Sequence, residues 1–238
     1  MYYSKRLNLL FIAAPKTGST TVESVLTSLD PDGERFRITL EDRTINSSFV
    51  ATDSLGHARA QEFRNALGPD HYDSLRTFGF VRHPIEKLVS AYSFTRQRSL
   101  RRITRARTRS RVHLAALVTK RIISTLAARI LPFSLWAILF PMKRCSNYFL
   151  DESGEVMVDY LGSTERLNED LKTILIELGI PASDLDVPHL NKSVRSNNRS
   201  SIRPGMFYNF LARRYAEDIR LYSLVEAGIL RVNTDERG

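Results

Sequence analysis

Residues 15–21 combine a lysine, a glycine and four hydroxyl side chains in the order Pro-Lys-Thr-Gly-Ser-Thr-Thr. These residue types suit a pocket for a phosphate-like anion, because lysine supplies a positive charge and glycine lets the backbone turn tightly beside a ligand. Free N–H groups at a helix N-terminus also favour an anion. The lysine precedes the glycine, so this is not a Walker A loop of the form G-x-x-x-x-G-K-[ST]. We predict a phosphate site of a different arrangement.

A second strand-to-helix turn surrounds Arg82. The apolar residues of 75–81 predict a buried strand, and Pro84 suits the first turn of a helix because its missing N–H is not needed there. Another apolar run, at 7–14, predicts the strand that leads into the lysine loop. Lys16 and Arg82 therefore both follow predicted strands, which is where parallel sheets bind ligands.

The alternation of strands and helices along the chain predicts an α/β fold with a parallel sheet covered by helices on both faces. A third strand is predicted within 155–161. The helices predicted from apolar spacing and from Gly and Pro stops cover 19–28, 58–67, 168–178 and 207–224.

The composition is that of a globular protein, with 238 residues, 42% apolar and 26% charged. A lone cysteine, Cys145, excludes an internal disulfide and fits a reducing compartment. The first residues do not resemble a signal peptide, and no run of apolar residues has the length of a membrane span. We therefore expect a cytoplasmic protein, and peripheral association with a membrane is compatible with that location.

The net charge of +9 is concentrated in one segment. Residues 95–150 contain 13 Lys and Arg and no Asp or Glu, which leaves 22 basic and 26 acidic residues elsewhere. Helical spacing of apolar residues and breaks at Pro132 and Pro141 predict helices here. We expect a helical cap over the active site, with contact to an anionic membrane or a polyanionic glycan as alternatives. Nucleic acid is not expected, because no aromatic set is interleaved with the arginines.

Together the two turns resemble the motifs of PAPS-dependent sulfotransferases, in the form found in Golgi-type and bacterial carbohydrate sulfotransferases. Residues 15–21 are similar to the loop that holds the 5′-phosphosulfate of PAPS (3′-phosphoadenosine 5′-phosphosulfate), and residues 80–92 to the 3′-phosphate motif. The resemblance implies one sulfotransferase domain over 1–238. Its fold would be P-loop-like and three-layered around a central parallel sheet, with a mostly helical basic insertion at about 96–142 that has no counterpart in the family.

The resemblance also implies transfer of a sulfuryl group from PAPS to a hydroxyl of a carbohydrate or related acceptor. Arg82 and Ser90 would hold the 3′-phosphate, which a guanidinium can bind through two parallel hydrogen bonds. Lys16 would stabilise the leaving phosphate oxygen. The 5′-phosphosulfate would be held by Lys16, Thr17, Gly18, Ser19, Thr20 and Thr21.

His57 is the candidate general base that the resemblance suggests, because imidazole titrates near working pH. A role in helix capping or a place on the surface is the alternative for this histidine. Asn191, Lys192 and Arg195 are weaker candidates for contact with the 3′-phosphate or the acceptor. No metal is expected, since lysine and backbone donors can neutralise the developing charge and no compact set of metal ligands is visible.

Two other functions stay open at this point. A nucleotide kinase with a divergent loop would need Mg²⁺ ligands, including an acidic residue at a strand end. The second predicted strand ends without a convincing aspartate, which counts against a kinase. A non-catalytic module could instead use the basic segment to bind membranes or polyanions.

Overall fold

The computed structural model describes residues 1–33, 57–98, 111–182 and 205–232, with the backbone alone at 37–38, 45–46 and 111–118. These residues form two compact units. Unit 1 consists of the described parts of 1–83, 144–191 and 217–238, and unit 2 of those of 84–143 and 192–216.

The described strands are β1 (Tyr2–Ser4), β2 (Leu9–Ile12), β3 (Arg37–Ile38), β4 (Ile45–Asn46), β5 (Arg76–Val81), β6 (Tyr160–Ser163) and β7 (Leu230–Arg231). Unit 1 contains a five-stranded sheet in the order β1-β2-β5-β6-β7. The central strand β5 runs parallel to β2 and β6, whereas the edge strands β1 and β7 are antiparallel to their neighbours. β3 and β4 form a separate antiparallel pair.

Six helices belong to unit 1: α1 (Ser19–Leu29), α2 (Ala60–Leu67), α3 (Pro69–Ser74), α7 (Ser146–Phe149), α8 (Leu167–Glu177) and α10 (Ala216–Glu226), which begins at the unit boundary. The helices of unit 2 are α4 (Pro84–Gln97), α5 (Arg111–Ile130), α6 (Phe133–Leu139) and α9 (Met206–Arg214). None of the helices in the described residues is long and apolar enough to cross a membrane.

The core of unit 1 lies against the parallel strands. All four residues of β2 are fully buried, as expected for a strand covered on both faces. The Phe11 and Phe78 rings pack 5.1 Å apart between centroids. A Cβ on Gly79 would lie 2.2 Å from the ring of Phe149, so this glycine allows α7 to approach the sheet closely. The predicted α/β fold is thus confirmed, with a mixed sheet that is mainly parallel.

Two elements differ from the bounds predicted from the sequence. The third parallel strand is Tyr160–Ser163, shifted towards the C-terminus from the predicted 155–161. The helix predicted at 207–224 is two helices, α9 and α10, interrupted at Tyr215. Tyr215 is buried, and its hydroxyl accepts a hydrogen bond from the Met142 amide at 3.1 Å, so a tertiary contact holds the residue at the interruption.

The described part of unit 2 is helical, as predicted for the basic segment, of which residues 99–110 lie outside the described residues. Its core contains Trp136 and Tyr92, whose ring centroids lie 5.4 Å apart. The Trp136 indole donates a hydrogen bond to the Ser124 carbonyl at 3.2 Å, which ties α6 to α5. Pro132 precedes α6 directly, in line with the predicted break. We refer to α5, α6 and the turn between them as the α5–α6 hairpin.

Candidate active site at the carboxyl ends of the parallel strands

The three parallel strands of unit 1 end at the same edge of the sheet. β2 leads into the lysine loop, β5 into Arg82, and β6 into a short 3₁₀ turn at Thr164–Arg166. The Thr164 hydroxyl donates to the Val81 carbonyl at 2.8 Å and joins the last two of these ends. This edge is where open α/β sheets bind their ligands.

The lysine loop contains a strained residue. Lys16 has φ 68° and Gly18 φ 76°, both in the left-handed region. Glycine adopts this region freely, but for other residues it costs about 1–2 kcal/mol. Thr17 between them is fully buried, and its hydroxyl donates to the Ala14 carbonyl at 2.9 Å. The loop is therefore held in one shape by its surroundings, and the Thr17 hydroxyl has a structural partner.

Gly18 cannot be replaced without disturbing the loop. A Cβ at this position would lie 3.0 Å from the nearest methyl carbon of Leu167, at the start of α8. The positive φ adds backbone strain for any other residue. Gly18 therefore allows close packing of the loop on α8 as well as the turn itself.

The start of α1 fits an anion. Gly18 is the N-cap, so no side chain caps the helix, and the first turn has no acidic residue. The amides of Ser19 and Thr20 precede the first i→i−4 hydrogen bond and have no acceptor within the helix. Thr20 is exposed and Ser19 is half-buried, whereas Thr21 is buried. These donors suit the 5′-phosphosulfate group predicted for this loop.

Arg82 links the two predicted motifs within unit 1. Its Nη1 donates to the Lys16 carbonyl at 3.2 Å. A guanidinium has five N–H donors, so this contact is compatible with phosphate binding by the same side chain. Ser90, the other residue predicted to hold the 3′-phosphate, lies on α4 in unit 2 and is buried. The phosphate roles of both residues stay predictions.

His57 lies beside the end of β2. Its Nδ1 is 2.7 Å from the Ala13 carbonyl, which can only accept a hydrogen bond. Nδ1 therefore carries the proton in this contact, and Nε2 of the neutral ring is the nitrogen able to accept another. The N-cap of α2 is Arg59, so His57 does not cap that helix as the alternative supposed. The edge of the Tyr148 ring also contacts the imidazole, with centroids 6.4 Å apart.

Two acidic residues after β6, Glu165 and Asp170, accept hydrogen bonds at this edge of the sheet. Neither was among the site residues predicted from the sequence. Glu165 accepts from the Ser163 hydroxyl at 2.8 Å and from the His83 amide at 3.4 Å. Asp170 accepts from the Ser163 amide at 2.7 Å and pairs with Arg166 at 3.1 Å. The only indication in the sequence was that Asp170 lies in the first turn of the helix predicted at 168–178. Acidic residues are common at that position because they interact favourably with the helix dipole.

An aromatic contact accompanies these hydrogen bonds. The Tyr222 ring packs edge-on against His83, with centroids 5.3 Å apart. Burial raises the pKa of the Tyr222 hydroxyl. His83 is therefore a half-buried, packed residue at the end of β5.

Three weaker candidates lie outside the described residues: Asn191, Lys192 and Arg195. Within the described part of the chain, no group of three or more His, Cys, Asp and Glu side chains could hold a metal ion.

Comparison with known proteins identifies the family. Neither the curated proteins nor the solved structures gave a match to this chain. The sequence model of the Sulfotransferase family matches residues 1–224, a range that includes the lysine loop, His57 and Arg82. Because this match covers most of its length, the chain belongs to the Sulfotransferase family, whose members are EC 2.8.2 transferases with PAPS as the implied donor.

Proposed function

We propose that this sulfotransferase transfers the sulfuryl group of PAPS to a hydroxyl of a carbohydrate or related acceptor, with His57 as general base. The contact of His57 with the Ala13 carbonyl at 2.7 Å is the observation that supports this most directly. Through this contact the imidazole lies beside the end of β2, the strand that leads into Lys16. Membership of the family sets aside the nucleotide kinase and the non-catalytic module.

The lysine loop is the proposed site of the donor's 5′ end. PAPS supplies the sulfuryl group and leaves as adenosine 3′,5′-bisphosphate. The amides of Ser19 and Thr20 at the start of α1, with Lys16, would bind the 5′-phosphosulfate, because no side chain caps the helix and its first turn has no acidic residue. Arg82 and Ser90 are proposed to hold the 3′-phosphate.

Proton transfer is assigned to His57. The acceptor hydroxyl gives its proton to Nε2 as its oxygen bonds to sulfur and the bond from sulfur to the phosphate oxygen breaks. Lys16 stabilises the negative charge that develops on the departing phosphate oxygen. Positioning and electrostatics then supply most of the catalysis, as in phosphoryl transfer.

Substitution of His57 tests this mechanism. His57→Ala is expected to lower turnover by about 10²–10⁴-fold, the usual effect of removing a general base. PAPS binding, measured by calorimetry, is expected to stay near the wild-type value, because the loop amides and Lys16 are retained. His71→Ala, which changes an exposed histidine on α3, is the matched control and should leave turnover unchanged. Near-normal turnover of His57→Ala would remove His57 from the mechanism.

The acceptor is identified by a separate experiment. The protein is incubated with PAPS and a panel of carbohydrates, and sulfated products are detected by mass spectrometry. Sulfation of a sugar hydroxyl that depends on Lys16 is the expected result. Products formed only from non-carbohydrate acceptors would contradict the carbohydrate assignment while leaving the sulfotransferase activity in place.

A further inference from the structure

Exposed apolar side chains are concentrated in unit 2. Within the described residues, eleven large hydrophobic side chains are exposed, and nine of them belong to this smaller unit. Six lie on the α5–α6 hairpin: Ile123, Leu126, Ile130, Leu135, Ile138 and Leu139. We call these six residues the apolar hairpin surface. Neighbouring exposed apolar side chains mark a binding surface more often than scattered single residues do.

On α5 these side chains form a ridge. Ile123, Leu126 and Ile130 are spaced three and four residues apart and so lie on one face of the helix. The opposite face is buried, since Thr125 and Ala128 have no exposed surface. The ridge is therefore presented outward from unit 2, and Ile130 is 79% exposed.

α6 repeats this pattern in a shorter helix. Leu135, Ile138 and Leu139 are exposed on one face, whereas Trp136 and Ala137 are buried in the core of unit 2. Trp136 anchors the helix through the Ser124 carbonyl, so the exposed leucines and isoleucine are held on a packed element. The apolar hairpin surface thus belongs to ordered helices.

Basic side chains flank the ridge. At about 100° per residue, Lys120 and Arg129 lie about 90° to either side of the Ile123–Leu126–Ile130 face around the axis of α5. Both are exposed, and Arg129 is fixed by a hydrogen bond to the Arg98 carbonyl at 3.0 Å. No acidic residue occurs from residue 95 to residue 150. An apolar face with basic flanks is the pattern of helices that lie in the interface of an anionic bilayer.

We propose that the α5–α6 hairpin docks on an anionic lipid membrane, with the apolar hairpin surface entering the headgroup region. The exposed leucines and isoleucines would be buried among acyl chains, and the basic flanks would meet lipid phosphates. The hairpin lies on the surface of the bilayer without crossing it. This binding is independent of the sulfuryl transfer proposed above.

The charge of the surface argues against a second copy of the chain as its partner. A symmetric dimer through this face would bring Lys120 and Arg129 of both copies together, with no acidic residue of the segment to pair with them. Like charges placed opposite one another oppose association. An anionic bilayer matches both the charge and the apolar character of the surface.

Co-sedimentation with vesicles tests the proposal. The full chain should bind vesicles of phosphatidylglycerol and phosphatidylcholine, bind phosphatidylcholine alone much less, and dissociate as salt rises. The double variant Ile123→Gln with Leu139→Gln should bind anionic vesicles about tenfold more weakly or worse, because two inserting side chains become polar. A second double variant, Lys120→Gln with Arg129→Gln, removes the charge of both basic flanks instead and should also weaken binding.

Matched controls are available in unit 1. Ile176 and Leu224 are 54% and 61% exposed, against 53% and 61% for Ile123 and Leu139. Ile176→Gln with Leu224→Gln should therefore bind vesicles as the wild type does, and Lys5→Gln is the charge control. All variants should bind PAPS normally, which shows that they are folded.

Three results would overturn the proposal. One is wild-type protein that binds anionic and neutral vesicles equally, or neither. Another is an equal loss of binding in the Ile176 and Leu224 control. The third is a wild-type dimer in sedimentation that the Ile123 and Leu139 variant converts to a monomer, which would assign the surface to a second copy.

Discussion

The backbone of Lys16 is the most unusual feature of the site at the scale of single residues. Its left-handed conformation, φ 68°, is one that lysine adopts only at a cost. The Arg82 guanidinium binds its carbonyl, and the buried Thr17 follows it, so neighbouring residues hold this conformation in place. The ammonium group is thus carried on a backbone that is preorganised before the donor binds.

The backbone strain at Lys16 predicts that glycine is more stable than alanine at this position, which is the reverse of the usual order in a helix. Lys16→Gly should be more stable than Lys16→Ala by about 1 kcal/mol, because glycine adopts positive φ without the steric penalty. The free energies of unfolding in urea measure the difference. Both variants lose the ammonium group, so both should lose most turnover.

Lys172 supplies the control for this comparison. It lies in the middle of α8, where glycine is usually less stable than alanine by about 1 kcal/mol. Lys172→Gly should therefore be the less stable of its pair. If Lys16 gave the same order as Lys172, the left-handed backbone would not be a feature of the folded protein.

The sequence predicted the site residues that follow strands, but not how they touch. Lys16 and Arg82 could be found because each follows an apolar run and precedes a helix. The bond between Arg82 and the Lys16 carbonyl depends on the register of β2 against β5, which pairs Ile12 with Gly79. No local pattern specifies that register. The contact of His57 with Ala13 likewise joins residues 44 positions apart.

At the scale of elements, a strand with enough apolar residues to show a local pattern could be predicted, whereas a strand that depends on pairing with a distant segment was missed. β5 has a long apolar run and was predicted within one residue. β1 is three residues long and is stabilised by pairing with β2, with Tyr2 opposite Phe11. Such a short segment has too few residues to show a period. Its position depends on partners elsewhere in the chain.

Asp30 is the main polar partner of β1. Its buried carboxylate accepts hydrogen bonds from the Ser4 hydroxyl and from Arg6 Nε, the latter at 3.0 Å, and its carbonyl accepts from the Tyr2 hydroxyl. The Ser4 hydrogen bond is the largest influence that holds the pKa of Asp30 below its ordinary value, and Arg6 adds to it. The carboxylate thereby links β1 to the end of α1.

A pH dependence follows from this lowered pKa. The ionised carboxylate stabilises the folded state above its ordinary pKa, and this contribution is lost as pH falls through the lower folded pKa. We expect wild type to exceed Asp30→Asn in free energy of unfolding by about 1–3 kcal/mol near neutral pH. The difference should shrink between about pH 4 and more acidic values. Urea unfolding at several pH values measures it.

Asp32 gives the matched control, because it is an exposed carboxylate two residues further along. Asp32→Asn should leave the free energy of unfolding near the wild-type value at every pH. A constant difference between wild type and Asp30→Asn from neutral to acidic pH would show that the Asp30 charge does not stabilise β1.

At the scale of the whole molecule, basic residues are concentrated in one segment of the chain. The segment 95–150 has 13 positive charges without a negative one, whereas the remainder has more acidic than basic residues. Composition alone therefore predicted a segment whose charge suits a polyanionic partner, but it could not distinguish a helical cap from a membrane-binding surface. That choice depends on which apolar side chains are exposed, such as Ile130 and Leu139, and exposure is a property of packing.

The two units also differ in the size of their cores. Within the described residues, 34 buried residues form the core of unit 1, whereas unit 2 has two clusters of five and four. A smaller core gives less hydrophobic stabilisation to offset conformational entropy. Each unit has a unique probe, since the only tryptophan, Trp136, lies in unit 2 and the only cysteine, Cys145, in unit 1.

These probes allow the stability of the units to be compared in one unmodified protein. We expect Trp136 fluorescence to report unfolding of unit 2 at a lower urea concentration than labelling of the buried Cys145 thiol reports for unit 1. PAPS at about 100 times its Kd should stabilise unit 1, which contains the lysine loop, by about 2.7 kcal/mol and raise the Cys145 midpoint. Lys16→Ala should abolish that increase. Coincident Trp136 and Cys145 curves without ligand would instead mean that the small core of unit 2 unfolds only together with the sheet, and that the two units behave as one cooperative structure.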